Sequence, residues 1–525
     1  MSDLPGTFQP FENLRTGLKI DDLQLYKSTV EGILNSRQLI FDQKKAALAH
    51  TAMNVLPYPS VSEEALQLVE SGVVCLLSEG AAPFHPRYVA PDYGKLLRDG
   101  SSFLEIKPPQ DLFEAIGALL TAYKYAPNGG EPVFIGRMDE LLEPFADSVP
   151  EHVAYQLMRT FWQLVDRLYP SAFVHANLGP AESRIGNIIL DVDNEIRPIT
   201  NLTLRYDPSV TPDTFAEKAV LNALKNAKPY FLNHPMMVAD WGEDYAVASC
   251  YNGMRLGGGI YTLVRLNIKK AAALAKGLDD FLNRVLPDIF PGWMELIESR
   301  SRRIIEDADW FSDNYWIEEG YLAKEKFTSY AGIFGLAEGV AALMDADGHA
   351  DAKYGHDAPA NQTAQAVTDR IRELLEGYAY DFCSGSGGIP CYHAQVGIME
   401  DVDVSPATRI PSGQEPALYD HLTAEAPTHA HILGGTSTIL EFDQTAEKNP
   451  GAVLDIIKGA FSNGTRNLSI GSASSEFVRV TGYLIRRADL EAAQQEKTLR
   501  HGSAHLGAGF MKTKPNHLHR ITRKV

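Results

Sequence analysis

Several places in this sequence carry side chains, or lack one, in ways that chemistry could use. Four cysteines occur, Cys75, Cys250, Cys383 and Cys391. A thiol is the most readily oxidised group in the chain, yet no two of them make a Cys-x-x-Cys pair, and Cys383 and Cys391 are expected to be structural. Cys391-Tyr-His-Ala-Gln-Val-Gly-Ile-Met-Glu-Asp-Val-Asp403 brings His393, Glu400, Asp401 and Asp403 close in sequence, with Arg409 soon after. Such groups can move protons, although a charged loop has the same composition. Gly482 follows the strand-like Phe477-Val-Arg-Val480, where a glycine alone means a turn. Gly257-Gly258-Gly259 is not followed by Gly-Lys-Ser/Thr, so it predicts backbone geometry and not a phosphate loop. Asp345, Asp347, Gly348 and Asp351 miss the glycine and terminal glutamate of a calcium loop. No Gly-x-Ser-x-Gly nucleophile motif is present.

Context gives Gly482 more meaning. Glu476-Phe-Val-Arg-Val-Thr-Gly-Tyr-Leu-Ile-Arg486, with 43 residues after Gly482, resembles the C-terminal signature of glycyl radical enzymes. Asn201-Leu-Thr-Leu-Arg205 followed by Asp244-Tyr-Ala-Val-Ala-Ser-Cys250 resembles the corresponding stretch of pyruvate formate-lyase, and anaerobic ribonucleotide reductases place a similar cysteine before a Gly-rich segment. The likeness is specific over about residues 198–275 and 428–500, and in length and tail it is closest to the YjjI-type branch.

The resemblance implies a ten-stranded α/β barrel, two five-stranded half-barrels surrounded by helices. Residues 1–430 would form the helix-rich scaffold and barrel with the cysteine loop near 250, and residues 431–525 the C-terminal glycyl radical domain. It implies that Gly482 stores a backbone radical and that Cys250 becomes the thiyl radical that takes hydrogen from a small oxygenated metabolite, in an anaerobic, cytoplasmic enzyme. A separate radical S-adenosylmethionine activase would install the radical post-translationally, no cofactor or metal would be bound, and a homodimer is compatible with this. The chemistry is consistent with the residue type: without a Cβ, the α-carbon can flatten into a radical shared between amide nitrogen and carbonyl.

Departures from the familiar branches narrow the reaction. Formate-lyases carry two adjacent cysteines, and here the first position is Ser249. Dehydratase and lyase branches use Cys-x-Glu with the carboxylate as base, whereas Cys250-Tyr251-Asn252 puts an amide there, and an amide takes no proton at neutral pH. No cysteine follows Cys391, so the zinc site of the reductases is missing. A lyase or dehydratase-type step remains favoured. The other class consistent with Ser249 and Asn252 is a non-catalytic radical-accepting or regulatory module on the same barrel, and the separation of Cys250 from Gly482 distinguishes the two.

The elements that must position these residues read as α/β. Apolar spacing predicts helices over 112–123 and 155–168, strands over 187–191 and 199–205, and a helix opened by Thr211-Pro212 and closed before Pro229. A buried strand over 244–249 runs into Cys250, and a long helical pattern is expected from Thr262 to about Leu286. Residues 345–359 read as a surface loop, 438–442 as a strand, 453–461 as a helix, and 489–500 as a capped helix. His501, His505, His517 and His519 read as surface histidines of a tail, and Lys512 to Lys524 as a solvated basic stretch.

Composition bounds the partners. Hydrophobic residues at 45% and charged residues at 22% are ordinary globular values, in a chain of 525 residues able to bury a large core. A formal charge of -19 disfavours nucleic acid and anionic membranes. No signal-peptide pattern opens the chain and no run of 18 apolar residues occurs, so neither secretion nor membrane spanning is expected.

Overall fold

A computed structural model gives the architecture; it describes residues 23–53, 55–58, 60–77, 82–126, 132–312, 314–397, 401–480, 482–513 and 519–525. The fold is mixed α/β, as expected, with two main sheets among helices. In the smaller sheet the ten-residue strand Gly258–Asn267 is central. Phe327–Phe334 runs parallel beside it and Cys391–Ala394 parallel beyond that, while Val74–Cys75 and Tyr88–Ala90 pair antiparallel on its other edge. The larger sheet has seven strands in the order Thr522–Arg523, Thr438–Phe442, Asn467–Ser472, Tyr230–Asn233, Asn201–Tyr206, His175–Leu178 and Gly136–Arg137. Its neighbours are parallel except for Asn467–Ser472 against Tyr230–Asn233.

Two predicted elements change type. Residues 187–191 are not a strand but the middle of the helix Arg184–Ile196. Ser183 accepts the Gly186 N–H at 2.9 Å as its cap, and Ile185, Ile188, Ile189 and Val192 form the buried stripe. The expected helix beginning at Thr262 starts instead as strand: Gly258–Asn267 is buried at all ten positions. A strand covered on both faces shows no alternation, so its apolar run mimics a helix until the β-branched and aromatic residues Ile260, Tyr261, Thr262 and Val264 are weighed.

Three smaller corrections concern the candidate loop and the tail. Cys391–Ala394 is a buried strand, not part of a charged loop. His501 and His505 are buried, with His501 Nδ1 at 2.8 Å from Asp489 Oδ2, whereas His519 is exposed and His517 lies outside the described residues. The basic tail is not wholly solvated, because Thr522–Arg523 pairs with Glu441–Phe442 and Arg523 reaches the Pro416 carbonyl at 3.2 Å.

The two residues singled out by the sequence, Cys250 and Gly482, sit on two small hairpins outside both main sheets. In one, Tyr245–Ala248 pairs antiparallel with Asn252–Arg255, and Ser249, Cys250 and Tyr251 form its tip. In the other, Phe477–Arg479 pairs with Leu484–Arg486, and Gly482 lies in the tip.

Candidate active site

The cysteine hairpin is held from both sheets. Asn177, on the strand His175–Leu178, accepts the Val247 N–H at 3.0 Å and donates to its carbonyl at 2.9 Å. Tyr330, on the central region of the smaller sheet, donates its hydroxyl to the Gly253 carbonyl at 2.6 Å. At the tip Ser249 adopts a left-handed φ of 59°, and the Cys250 N–H bonds the Ala248 carbonyl at 2.6 Å, which turns the chain sharply enough to project the thiol.

The two tips meet. A Cβ added to Gly482 would lie 2.6 Å from Cys250 Sγ and 3.2 Å from Tyr251 Cε1, and would collide with Cys250 Cβ as well. Both residues are buried. The glycine is therefore required here by the space the cysteine occupies. Asn201 bridges the tips: its side-chain amide donates to the Ser249 carbonyl at 2.9 Å and the Ala172 carbonyl at 2.8 Å, and lies 3.5 Å from the Gly482 carbonyl. The Tyr230 hydroxyl donates to that same Gly482 carbonyl. Over the Tyr230 ring, at 4.0 Å from its centroid, sits the Arg479 guanidinium, which also donates to the Ala227 carbonyl.

Burial pushes the Cys250 thiol up from its ordinary value, and the Tyr251 N–H, the Asn252 amide and Gln395 pull against this without cancelling it. The group stays an S–H at neutral pH. Asn252, two residues beyond the cysteine, donates to Cys250 Sγ at 3.3 Å and to the Ala248 carbonyl at 3.0 Å.

The candidate proton carriers separate clearly. Asp401 is fully buried in an ion pair with Arg265 at 2.8 Å and also accepts the Gly397 N–H at 2.6 Å. His393 stacks on Tyr330 with ring centroids 4.3 Å apart, lies 6.1 Å from the Tyr251 ring, and places Nε2 at 2.8 Å from Gln395 Oε1. Its Nδ1 has no partner, and burial lowers its pKa to about 4, so the ring is neutral. Asp403 has a left-handed φ of 55°, and its carbonyl accepts Lys269 Nζ at 3.0 Å. Glu400 lies outside the described residues. Cys75, Cys383 and Cys391 are buried and unbridged. Among the described residues no group of histidine, cysteine and carboxylate side chains could hold a metal ion, and no helix is long and apolar enough to cross a membrane.

A family profile described as glycyl radical enzyme YjjI-like matches residues 39–523. The chain belongs to the YjjI-like glycyl radical enzyme family. The YjjI protein of Escherichia coli K12 is 36% identical over 467 residues, covering 88% of this chain and 90% of the relative. Among solved structures, an anaerobic ribonucleotide reductase superposes with a TM-score of 0.67 at 11% identity, covering 95% of this chain and 93% of that one. The glycerol-bound B12-independent glycerol dehydratase of Clostridium butyricum gives 0.60 at 12%, covering 98% and 87%. At those identities the likeness concerns the fold, which is that of the glycyl radical enzyme barrels. Family membership brings with it a glycyl radical.

Asn201 fell within the stretch that suggested the family, but its bridging role, and the roles of Tyr230 and Gln395, were not legible. Tyr230 sits in the short buried strand Tyr230–Asn233, where an aromatic residue is expected for packing alone. Only the polar end of its ring distinguishes it, and its partner is 252 residues away.

Proposed function

We propose that Gly482 carries the radical and that Cys250 passes it to substrate. The observation that supports this most directly is the meeting of the tips, which puts Cys250 Sγ 2.6 Å from where a Gly482 side chain would begin. In each turnover the S–H hydrogen moves to the Gly482 α-carbon and leaves a thiyl. The thiyl takes a hydrogen atom from a substrate C–H, the substrate radical rearranges or loses a group, and the product radical takes the hydrogen back from Cys250. The thiyl then regains hydrogen from Gly482, restoring the stored radical. Burial suits each part: it keeps the thiol protonated, as a hydrogen-atom donor must be, and keeps oxygen and water from the radical. The bonds from Tyr230 and Asn201 fall on the carbonyl over which the radical would spread.

The reaction is of lyase or dehydratase type on a small oxygenated metabolite. Neither candidate proton carrier supplies a strong base: Asp401 is held in its ion pair with Arg265, and burial lowers the His393 pKa to about 4, so the scheme assigns the base role to no residue. Activation is by a separate radical S-adenosylmethionine enzyme in an anaerobic cytoplasm. Residues 431–525 act as the radical-bearing unit in this scheme. Val480, Tyr483, Leu484 and Ile485 of the Gly482 hairpin are all core residues, and baring them costs roughly 1.5–3 kcal/mol apiece. The activase must cover the surface it exposes.

The test is anoxic activation followed by electron paramagnetic resonance. Wild type should give the doublet of a glycyl radical, Gly482→Ala no signal, and Cys250→Ala the doublet without turnover. Silence from activated wild type, or an unchanged doublet from Gly482→Ala, would sink the assignment.

A further inference from the structure

Arg409 is buried, with 6% of its surface exposed, and none of its three guanidinium nitrogens has a hydrogen-bond partner. Its guanidinium faces the Tyr251 hydroxyl without a well-formed hydrogen bond between the two, and it acts electrostatically on the Cys250 thiol. A buried cation without a counter-charge is costly, by several kcal/mol in order of magnitude, so a chain keeps one where a ligand supplies the missing charge.

The placement is built. On one side of Arg409 the Thr408 hydroxyl lies 3.0 Å from that of Thr436, and on the other the Ile410 N–H donates to Glu425 at 2.9 Å. The residue's own N–H bonds the Pro406 carbonyl at 3.1 Å. Arg409 lines a small recess together with Glu415, His421, Glu425 and a second guanidinium, Arg520, which lies near Glu441 and Glu415, and the two acids of the recess are engaged by other groups. Glu425 pairs with His421 at 3.2 Å, and Glu415 accepts the Gly413 N–H at 2.7 Å and the Ile521 N–H at 3.3 Å. Arg479, the other guanidinium beside the thiol, lies over the Tyr230 ring and donates to Ala227.

We propose that Arg409 binds the carboxylate of the substrate, with the Tyr251 hydroxyl as a second donor, so that the substrate is a small hydroxy- or amino-carboxylate whose C–H is presented to Cys250. This rests on the radical assignment above and adds the substrate class to it. The planar fork of a guanidinium matches two carboxylate oxygens.

The test uses the full chain without activation, so that binding is read apart from radical chemistry. Calorimetry would compare glycolate, lactate, glycerate, glycine and alanine with the neutral glycerol and propane-1,2-diol and with inorganic phosphate. At least one carboxylate should bind wild type, and Arg409→Met should weaken it about ten-fold or more, with Arg409→Lys in between. Arg409→Met should also melt no lower than wild type without ligand, because it removes an unpaired buried charge. Binding of none of the carboxylates, binding of phosphate alone, or carboxylate binding indifferent to Arg409→Met would overturn the proposal. So would a clear fall in melting temperature, which would mark Arg409 as a structural group. A normal glycyl radical doublet alongside any of these would leave the radical assignment standing.

Discussion

If the tips of the two hairpins touch as described, Gly482 and Cys250 must be energetically coupled even in the unactivated protein. The perturbation is Gly482→Ala, made in wild type and in Cys250→Gly. In wild type the new methyl lies 2.6 Å from Cys250 Sγ and 3.2 Å from Tyr251 Cε1, and collides with Cys250 Cβ besides. Nonbonded carbon atoms settle at about 3.5–4.0 Å, so the overlap with the cysteine is about an ångström at Sγ and larger at Cβ. Overpacking of that kind costs about 1–3 kcal/mol, and two overlapped atoms in a buried contact place this case near 3. In Cys250→Gly both cysteine atoms are gone and only the contact with Tyr251 remains, which a small shift relieves for about 1 kcal/mol or less. The coupling between the sites is the difference, about 2 kcal/mol, and it cancels whatever Cys250→Gly costs by itself. Urea unfolding of the four proteins measures it, provided the slopes agree. Changes that add to within about 0.5 kcal/mol would show that the residues do not touch and would remove the basis of the hydrogen relay.

Two further outcomes follow from the buried charges. Asp401→Asn should lower stability by about 3–5 kcal/mol in chemical denaturation, because it strands Arg265 in the core, and activated protein should still form the radical; loss of turnover at unchanged stability would make Asp401 the base after all. His393 stays neutral in the folded protein down to about pH 4, against an ordinary value of 6.5, so the unfolded chain binds the proton first. Its contribution is therefore intact above about pH 6.5 and is lost as pH falls toward about 4, on the order of 3 kcal/mol in all. Denaturation midpoints of wild type and His393→Gln should diverge across that window. Parallel profiles would contradict the burial of an uncharged ring.

The sequence disclosed Gly482 and Cys250 because each sits in a short, family-like string with a chemical reason behind it. It disclosed the hairpin strands for the same reason that it misread residues 187–191: a short apolar run is ambiguous by period alone, and only the Ser183 cap and the i, i+3, i+4, i+7 spacing from Ile185 separate helix from strand there. The start of the long helix was misplaced because a strand buried on both faces has no period to read. Arg409 could be seen only as a charge following other charges. That it has no partner depends on where Glu415, Glu425 and Arg479 are turned, and composition does not hold that information. Asn201 and Tyr230 act on a carbonyl more than 250 residues away in the chain, at a distance where local pattern has nothing to say.

The Gly482 hairpin joins the rest of the molecule, among the described residues, through side chains: Tyr230 and Asn201 at its tip, Arg479 and Arg486 reaching the Ala227 and Arg197 carbonyls, and the Tyr483 ring 5.0 Å from Phe173. A strand locked into a ladder can shift only in steps of two residues, since smaller steps break the hydrogen-bond register. A ribbon seated on side chains has no such quantum. Its position relative to Cys250 can be trimmed by fractions of an ångström through the bulk packed behind it, Phe173 above all. The separation of Gly482 from Cys250 is thus a continuously adjustable quantity in this architecture, open to gradual tuning without disturbing either main sheet.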